Sequence, residues 1–275
     1  DILTMEVWIP RYKYKVFNYN SDGTKTSSPQ QIEITFEKDN KNTSEITCSD
    51  SISGTDGKAS ETCKLKSTNA TCTDSLCNNK TYTHPGFTFG DEELNGFWTS
   101  KFELTGLLSS ITSKPNLISV GSKSVSGYET NIMNMKNSGN RYGFSTTTDT
   151  HMIKNMEWGA VTYLSHSKYG RCTDGTCEEV TINNCSSYIT GIGADTIDAS
   201  SSSTTCTTDA NKYNRAKGVL ASTTGNIYGI YDMSGGSREY MMGNLVNSSG
   251  EMYASYSGFS TYPNKRYYDK YSYET

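Results

Sequence analysis

The chain has 275 residues, with 25 Lys and Arg against 29 Asp and Glu, a net charge of −4. No cluster of basic residues provides an electrostatic footprint for nucleic acid, and no apolar run approaches the ~20 residues that span a bilayer. Hydrophobic residues make up only 33%, but 20 Tyr, 8 Phe and 3 Trp supply large areas to bury, and the low net charge argues against a disordered chain.

The first residue is Asp1 rather than Met, so any targeting segment is read as already removed. In MEVWIPRYKYKVF, Tyr12, Tyr14 and Val16 alternate with Arg11, Lys13 and Lys15, the period-two pattern of a half-buried strand. Pro10 suits a strand start or an edge. After turn-forming residues 18–30, Ile32, Ile34 and Phe36 fall on one face against Glu33 and Thr35, so the two runs predict an antiparallel hairpin with a long connection. Residues 40–80 are polar and carry four cysteines; they read as a disulfide-stapled excursion, with a mobile linker as the alternative.

Next, Phe97, Lys101, Phe102 and Glu103 read as strand, and a loose stretch around Gly121–Gly127 follows. One helix is predicted near 150–167. Asp149 or Thr150 would cap it, Ile153, Met156, Ala160, Tyr163 and Leu164 would form its apolar face, and Gly170 would stop it. Residues 171–217 read as a second cysteine-bearing insertion, with order resuming at Gly218. In GNIYGIYDMSGGSREY, alternation of Ile227, Gly229 and Tyr231 against Tyr228, Ile230 and Asp232 predicts a strand ending in a Ser234-Gly235-Gly236 turn. The phrase lacks GK[ST] and is not a phosphate loop.

The eight cysteines, Cys48, Cys63, Cys72, Cys77, Cys172, Cys177, Cys185 and Cys206, are even in number and lie in loop-like sequence. They read as disulfides of an oxidising compartment, with local pairing the simplest of about 105 connectivities and Cys172 bonded to Cys177. The competing reading is zinc held by CTDSLC and CTDGTC, but His84, His151 and His166 do not complete a zinc pattern. His151 and His166 read as cap or surface groups. The acidic runs Asp91-Glu92-Glu93 and Glu178-Glu179 read as solvated surface. Trp158 reads as core, and the tyrosines 253, 256, 262, 267, 268, 271 and 273 as edge and loop packing, with an adaptable binding surface the alternative.

Three segments in order carry a family resemblance. GIYDMSGGSREY resembles the G-L-Y-D-M-x-G-N-x-W-E-W phrase of the formylglycine-generating-enzyme/sulfatase-modifying domain. NMEWGAVTYLS is similar to that family's E-A-E-W-E-x-A-A helix, and GFWTSKFELTG to its early strand. The signature residues on this chain are Trp158, Tyr231, Asp232, Met233, Gly235 and Glu239. The resemblance spans Gly96 to Tyr240 and implies an α+β, C-type-lectin-like fold, β-rich with long disulfide-stapled insertions. It implies a division into residues 1–90, a β-hairpin with a polar cysteine-bearing excursion, and 91–275, the lectin-like domain.

Gly236 and Arg238 replace the family's Asn and Trp, and glycine offers no side-chain oxygen to a hard cation, so the family's calcium site is not expected. The family's enzymes place cysteines after an R-G-G strand that does not occur before Thr275, so neither catalysis nor a cofactor is expected. The implied role is that of non-catalytic relatives, an extracellular surface or appendage head with a ligand of unknown identity. The alternative is a pilin-like filament subunit whose partners are copies of itself.

Overall fold

The computed structural model describes residues 1–15, 17–18, 20, 22, 24–26, 30–49, 62–197, 201–204, 206, 208–246 and 257–272. Val16, Tyr253, Tyr256 and Tyr273 lie outside the described residues. Fifteen short strands form in this part of the chain, with three helices between them. In chain order they are β1 (Glu6–Pro10), β2 (Tyr12–Lys15), β3 (Ile34–Phe36), β4 (Ile46–Ser49), β5 (Thr62–Leu65), α1 (Asp74–Cys77), β6 (Thr81–Thr83), β7 (Thr88–Phe89), β8 (Glu92–Glu93) and β9 (Gly96–Ser100). Then come β10 (Thr105–Leu107), β11 (Ser110–Thr112), α2 (Val125–Met133), α3 (Asn155–Ser165), β12 (Cys172–Thr173), β13 (Thr176–Cys177), β14 (Gly243–Val246) and β15 (Asp269–Ser272). The protein is therefore β-rich with few helices.

The predicted hairpin forms, with Tyr12 opposite Phe36 and Tyr14 opposite Ile34. β6 pairs with the other edge of β2, which makes β2 the centre of a three-stranded sheet. Ile32 and Ile34 are buried, whereas Phe36 is exposed and packs its ring against Tyr169. Arg11, expected on the wet face, is completely buried. It sits between β1 and β2, where its guanidinium meets Glu37 at 2.9 Å and Glu93 at 2.6 Å. Glu93 is thus a structural counter-ion rather than solvated surface.

β1 pairs antiparallel with β9, placing Trp8 opposite Trp98 and Pro10, the last residue of β1, opposite Gly96. The main core then gathers Ile9, Tyr12, Ile32, Ile34 and Phe87 with Ala160 and Val161 of α3 and Ile230. The expected division at 90/91 runs through this shared core. A second cluster joins Tyr128 of α2 to Met152, Met242 and Tyr268, and a third gathers Ile46, Leu65 and Cys77 from the described residues 40–49 and 62–80.

Three expectations need correction. α3 starts at Asn155, not near 150, because Glu157 turns back to accept the Lys154 N–H at 2.8 Å. Asp149 and Thr150 are engaged elsewhere: Asp149 meets the His151 ring at 3.4 Å, and the Thr150 hydroxyl donates to the Ile132 carbonyl at 2.9 Å. α3 ends at Ser165, ahead of Gly170, with His166 as its C-cap. Second, there is not one long helix but two, since α2 forms in the stretch read as loose. Ser124 caps α2 by accepting the Gly127 N–H at 3.2 Å, and burial of Tyr128 and Glu129 holds it down.

Third, the YGIYDM strand does not form. Ile230, Tyr231 and Asp232 are buried consecutively, which no alternating strand permits. Their backbone is satisfied by a loop instead: Thr223 N–H donates to the Ile230 carbonyl at 2.9 Å, and Tyr231 N–H to Lys101 at 2.8 Å. Asp232 adopts φ 65°, a left-handed turn that its own hydrogen-bonded carboxylate holds in place. Lys101, Phe102 and Glu103 likewise lie beyond the end of β9, in the loop that receives this turn.

Four disulfides join Cys48–Cys63, Cys72–Cys77, Cys172–Cys177 and Cys185–Cys206. The predicted Cys172–Cys177 bond closes the β12–β13 hairpin, where the two residues are directly opposed. The described residues of the 171–217 segment join the fold: Asn183, Thr190, Ile192 and Asn211 are all buried. No helix among the described residues is long and apolar enough to cross a membrane. The disulfides suit a secreted or extracellular protein.

Candidate functional site

A cavity of about 1160 Å³ opens where β1 and β9 meet the start of α3, the loop after α2 and the 230–240 turn. Ligand cavities commonly measure roughly 300–1,000 Å³, so this one is roomy. Its aromatic wall comes from the β1–β9 ladder, where the cross-strand register sets Trp8 beside Trp98 as a tilted pair, ring centroids 5.3 Å apart and planes 57° to each other. Trp98 remains 66% exposed and Trp8 37%, which is costly for two large apolar rings unless something covers them. Trp158, Tyr128 and Tyr240 face the same space.

Carboxyl groups are set among these rings. Glu103 lies beneath the turn: one of its oxygens accepts from Ser237 N–H at 3.2 Å and from the Ser119 hydroxyl, while Oε1 is buried with no hydrogen-bond partner. Burial, followed by the nearby Asp232 charge, pushes the Glu103 carboxyl up to about 8. Burial raises Glu6 to about 7 against hydrogen bonds from Thr4 and Ser100. Glu239 sits at the mouth, reached by water yet ringed by protein, and the Trp158 Nε1–H donates to it at 3.2 Å. Desolvation raises this group also to about 7.

Asp232 stands behind the wall. It accepts from Asn183 Nδ2 at 2.9 Å, from Gly191 N–H at 2.9 Å and from Glu103 N–H at 3.4 Å. Burial nonetheless lifts it to about 6. The turn has to be glycine-rich at this point. Gly236 has φ +78°, and a Cβ there would stand 2.6 Å from Glu103 Oε1. A Cβ on Gly235, at φ +84°, would meet the Asn183 carbonyl at 2.3 Å.

At the far end of the cavity the charges are paired. His151 bonds both oxygens of Glu157 at 3.2 Å and faces Asp149 at 3.4 Å. Burial opposes charge on the ring, but the Glu157 and Asp149 carboxylates outweigh it and raise His151 to about 9. Arg266 reaches Glu92 at 3.4 Å and Asp149 at 3.7 Å. Arg238, by contrast, is exposed on the rim and forms no ion pair among the described residues.

Of the sequence signature, the structure brings Trp158, Tyr231, Met233 and Glu239 onto this one cavity, with Asp232 behind it and Gly235 shaping the turn. Tyr231 is fully buried against Phe102, and Trp158 is a half-buried wall residue rather than core. Glu6, Glu103, Trp8 and Trp98 escaped the sequence reading as site residues. Only the alternation around WIP and FWTSK hinted at them, through the outward face of paired strands. Of the described C-terminal tyrosines, Tyr268 is buried and Tyr271 receives a 2.6 Å bond from Asn155, while Tyr262 stays exposed.

Among the described residues, the metal-ligating atoms that converge within 4.8 Å are those of His166, Cys172 and Cys177. The two sulfurs are bonded to each other, so no thiolate is available there. No protein-family model matches the chain, and no curated protein matches it significantly.

Proposed function

We propose that this chain is a non-catalytic extracellular binding head of the lectin-like, formylglycine-generating-enzyme-like class, carried on a surface or appendage. The observation that carries the reading is the 1160 Å³ cavity with an exposed Trp8–Trp98 wall, room and apolar area for a ligand. Glu103 is held by Ser119 and Ser237 with no imidazole in contact among the described residues, so no nucleophile–base pair is assembled around it.

A filament subunit is the second reading, favoured by Leu107, Ile118 and Tyr228, each at least 65% exposed and suited to packing against another copy. Light scattering after size exclusion separates the two. A monomer at micromolar concentration supports the head, whereas concentration-dependent ordered filaments in micrographs support the subunit and overturn it.

A further inference from the structure

We infer that the cavity binds a ligand through an organic cation, an ammonium or guanidinium group, seated between the Trp8–Trp98 wall and the carboxyls of Glu6, Glu103 and Glu239. This rests on the reading of the chain as a binding head and names the chemistry of what it binds.

The first ground is charge. Glu103 faces Asp232, Glu239 and Tyr128, and its other neighbours are the uncharged Ser119 and Ser237. Glu6 faces Thr4 and Ser100; Glu239 faces Trp158 and Asp232. Among the described residues no lysine or arginine acts on these three carboxyls, and the wall's cations His151 and Arg266 are committed to Glu157, Glu92 and Asp149. Arg238 is exposed on the rim, with no ion pair among the described residues. Three carboxyls without a counter-charge, one of them carrying an unpartnered buried oxygen, make a site that a cation would complete.

The second ground is the wall. Exposed indole faces attract cations through their ring quadrupole, most strongly for tryptophan, and more so when water is excluded. Carboxylates and indoles share one preference, and it is for positive charge. The third ground is size. The three carboxyls do not converge to metal-ligand distances, unlike the sulfurs and imidazole near Cys172, so the space suits a cation with a body rather than a bare ion.

Proton linkage gives this a signature. The cavity carboxyls hold protons near neutrality because ionising them is unfavourable. A bound cation reverses that and expels a proton. Affinity must therefore rise with pH through the range in which they ionise.

The test is calorimetric titration with spermidine, with end-blocked trilysine, and with two neutral probes, end-blocked tri-acetyllysine and a linear glucose trisaccharide. The result expected is binding of one or both cations, at least about tenfold tighter at pH 8.5 than at pH 6, with proton release and weakening in high salt. Preference for spermidine identifies a free amine as the source, and preference for trilysine a peptide. Glu103→Gln should weaken binding about tenfold or more. Glu239→Gln at the solvent-reached mouth and Trp98→Ala on the exposed wall do the same without risk to the core.

Equal binding of the neutral peptide, or cation binding unchanged in Glu239→Gln and Trp98→Ala, overturns the inference. So does trisaccharide binding in place of the cations, although that outcome leaves the binding-head reading standing. Filament assembly with an occluded cavity sinks both.

Discussion

Gly236 shows how one residue can reserve space for a function. Its φ of +78° is a conformation that L side chains adopt at a cost of roughly 1–2 kcal/mol, and its missing Cβ leaves 2.6 Å to Glu103 Oε1. Gly236→Ala should therefore destabilise the chain by about that amount and displace the Glu103 carboxyl. Denaturant melts and a spermidine titration should move together; a variant with unaltered stability and binding would show that the turn does not hold Glu103. Nearby, Tyr231 is 1% exposed, stacks on Phe102 and donates its hydroxyl to the Tyr213 carbonyl at 2.6 Å. Tyr231→Ala should cost roughly 3–5 kcal/mol, whereas exposed Arg238→Ala should change stability by less than about 1 kcal/mol. Equal effects from the two substitutions would contradict this placement. The sequence put Tyr231 on one face of an alternating strand; that strand does not form, and the residue is buried in a loop with Ile230 and Asp232 instead. The partners of Glu103 were not legible in the sequence, since Ser119, Asp232 and Ser237 come together only through long-range folding.

At the scale of elements, the legible parts are those where the pattern is local. Tyr12 and Tyr14 pair with the 34–36 run because an alternating strand needs only a second alternating strand. Cys172–Cys177 closes a hairpin because four residues bring the strands back into register. The α3 boundary was misplaced because two good caps, Asp149 and Thr150, are drawn to His151 and Ile132, and a tertiary contact outweighs a cap worth about 1 kcal/mol. α2 was missed because VSGYETNIM carries a glycine and β-branched residues of poor helix propensity. Its stability comes from the Ser124 cap and from burying Tyr128. The disulfides carry a prediction at this scale. Cys185–Cys206 closes the longer loop, 21 residues apart, beside Asn183 and Gly191, which bond Asp232. Replacing both cysteines by serine should cost about 3 kcal/mol by chain entropy, against about 2 kcal/mol for Cys172–Cys177 with its separation of 5. Denaturant melts of the two double variants read the difference, and the reverse order would refute the assignment of Cys185–Cys206 as the main staple.

Across the whole molecule, the cavity carboxyls and His151 are raised in the same direction. Folding raises the carboxyls of Glu6 and Glu239 to about 7 and of Glu103 to about 8. It raises His151 to about 9, where the carboxylates of Glu157 and Asp149 outweigh the penalty of burial. A group raised on folding contributes stability below its unfolded value and loses it as pH climbs through the folded one. For the carboxyls that loss runs from about pH 4.5 to 8; for His151 it runs from about 6.5 to 9. His84 acts the other way: burial lowers it to about 3, so it reduces stability as pH falls below 6.5 and contributes no slope above. Lys66 and Lys101 are both lowered by burial, which opposes the trend on the alkaline side. Between pH 6.5 and 8.5 the carboxyls and His151 therefore act together, and Tm should fall by roughly 5–10 °C. Glu103→Gln combined with Glu239→Gln should flatten that slope and raise Tm at pH 8.5 relative to the native chain. Saturating spermidine should flatten it also, by supplying the charge the cavity lacks. Scanning calorimetry across the range decides the matter. A Tm constant or rising from pH 6.5 to 8.5 would mean that the cavity carboxyls are already ionised and compensated, and the electrostatic account of the site would fall with it.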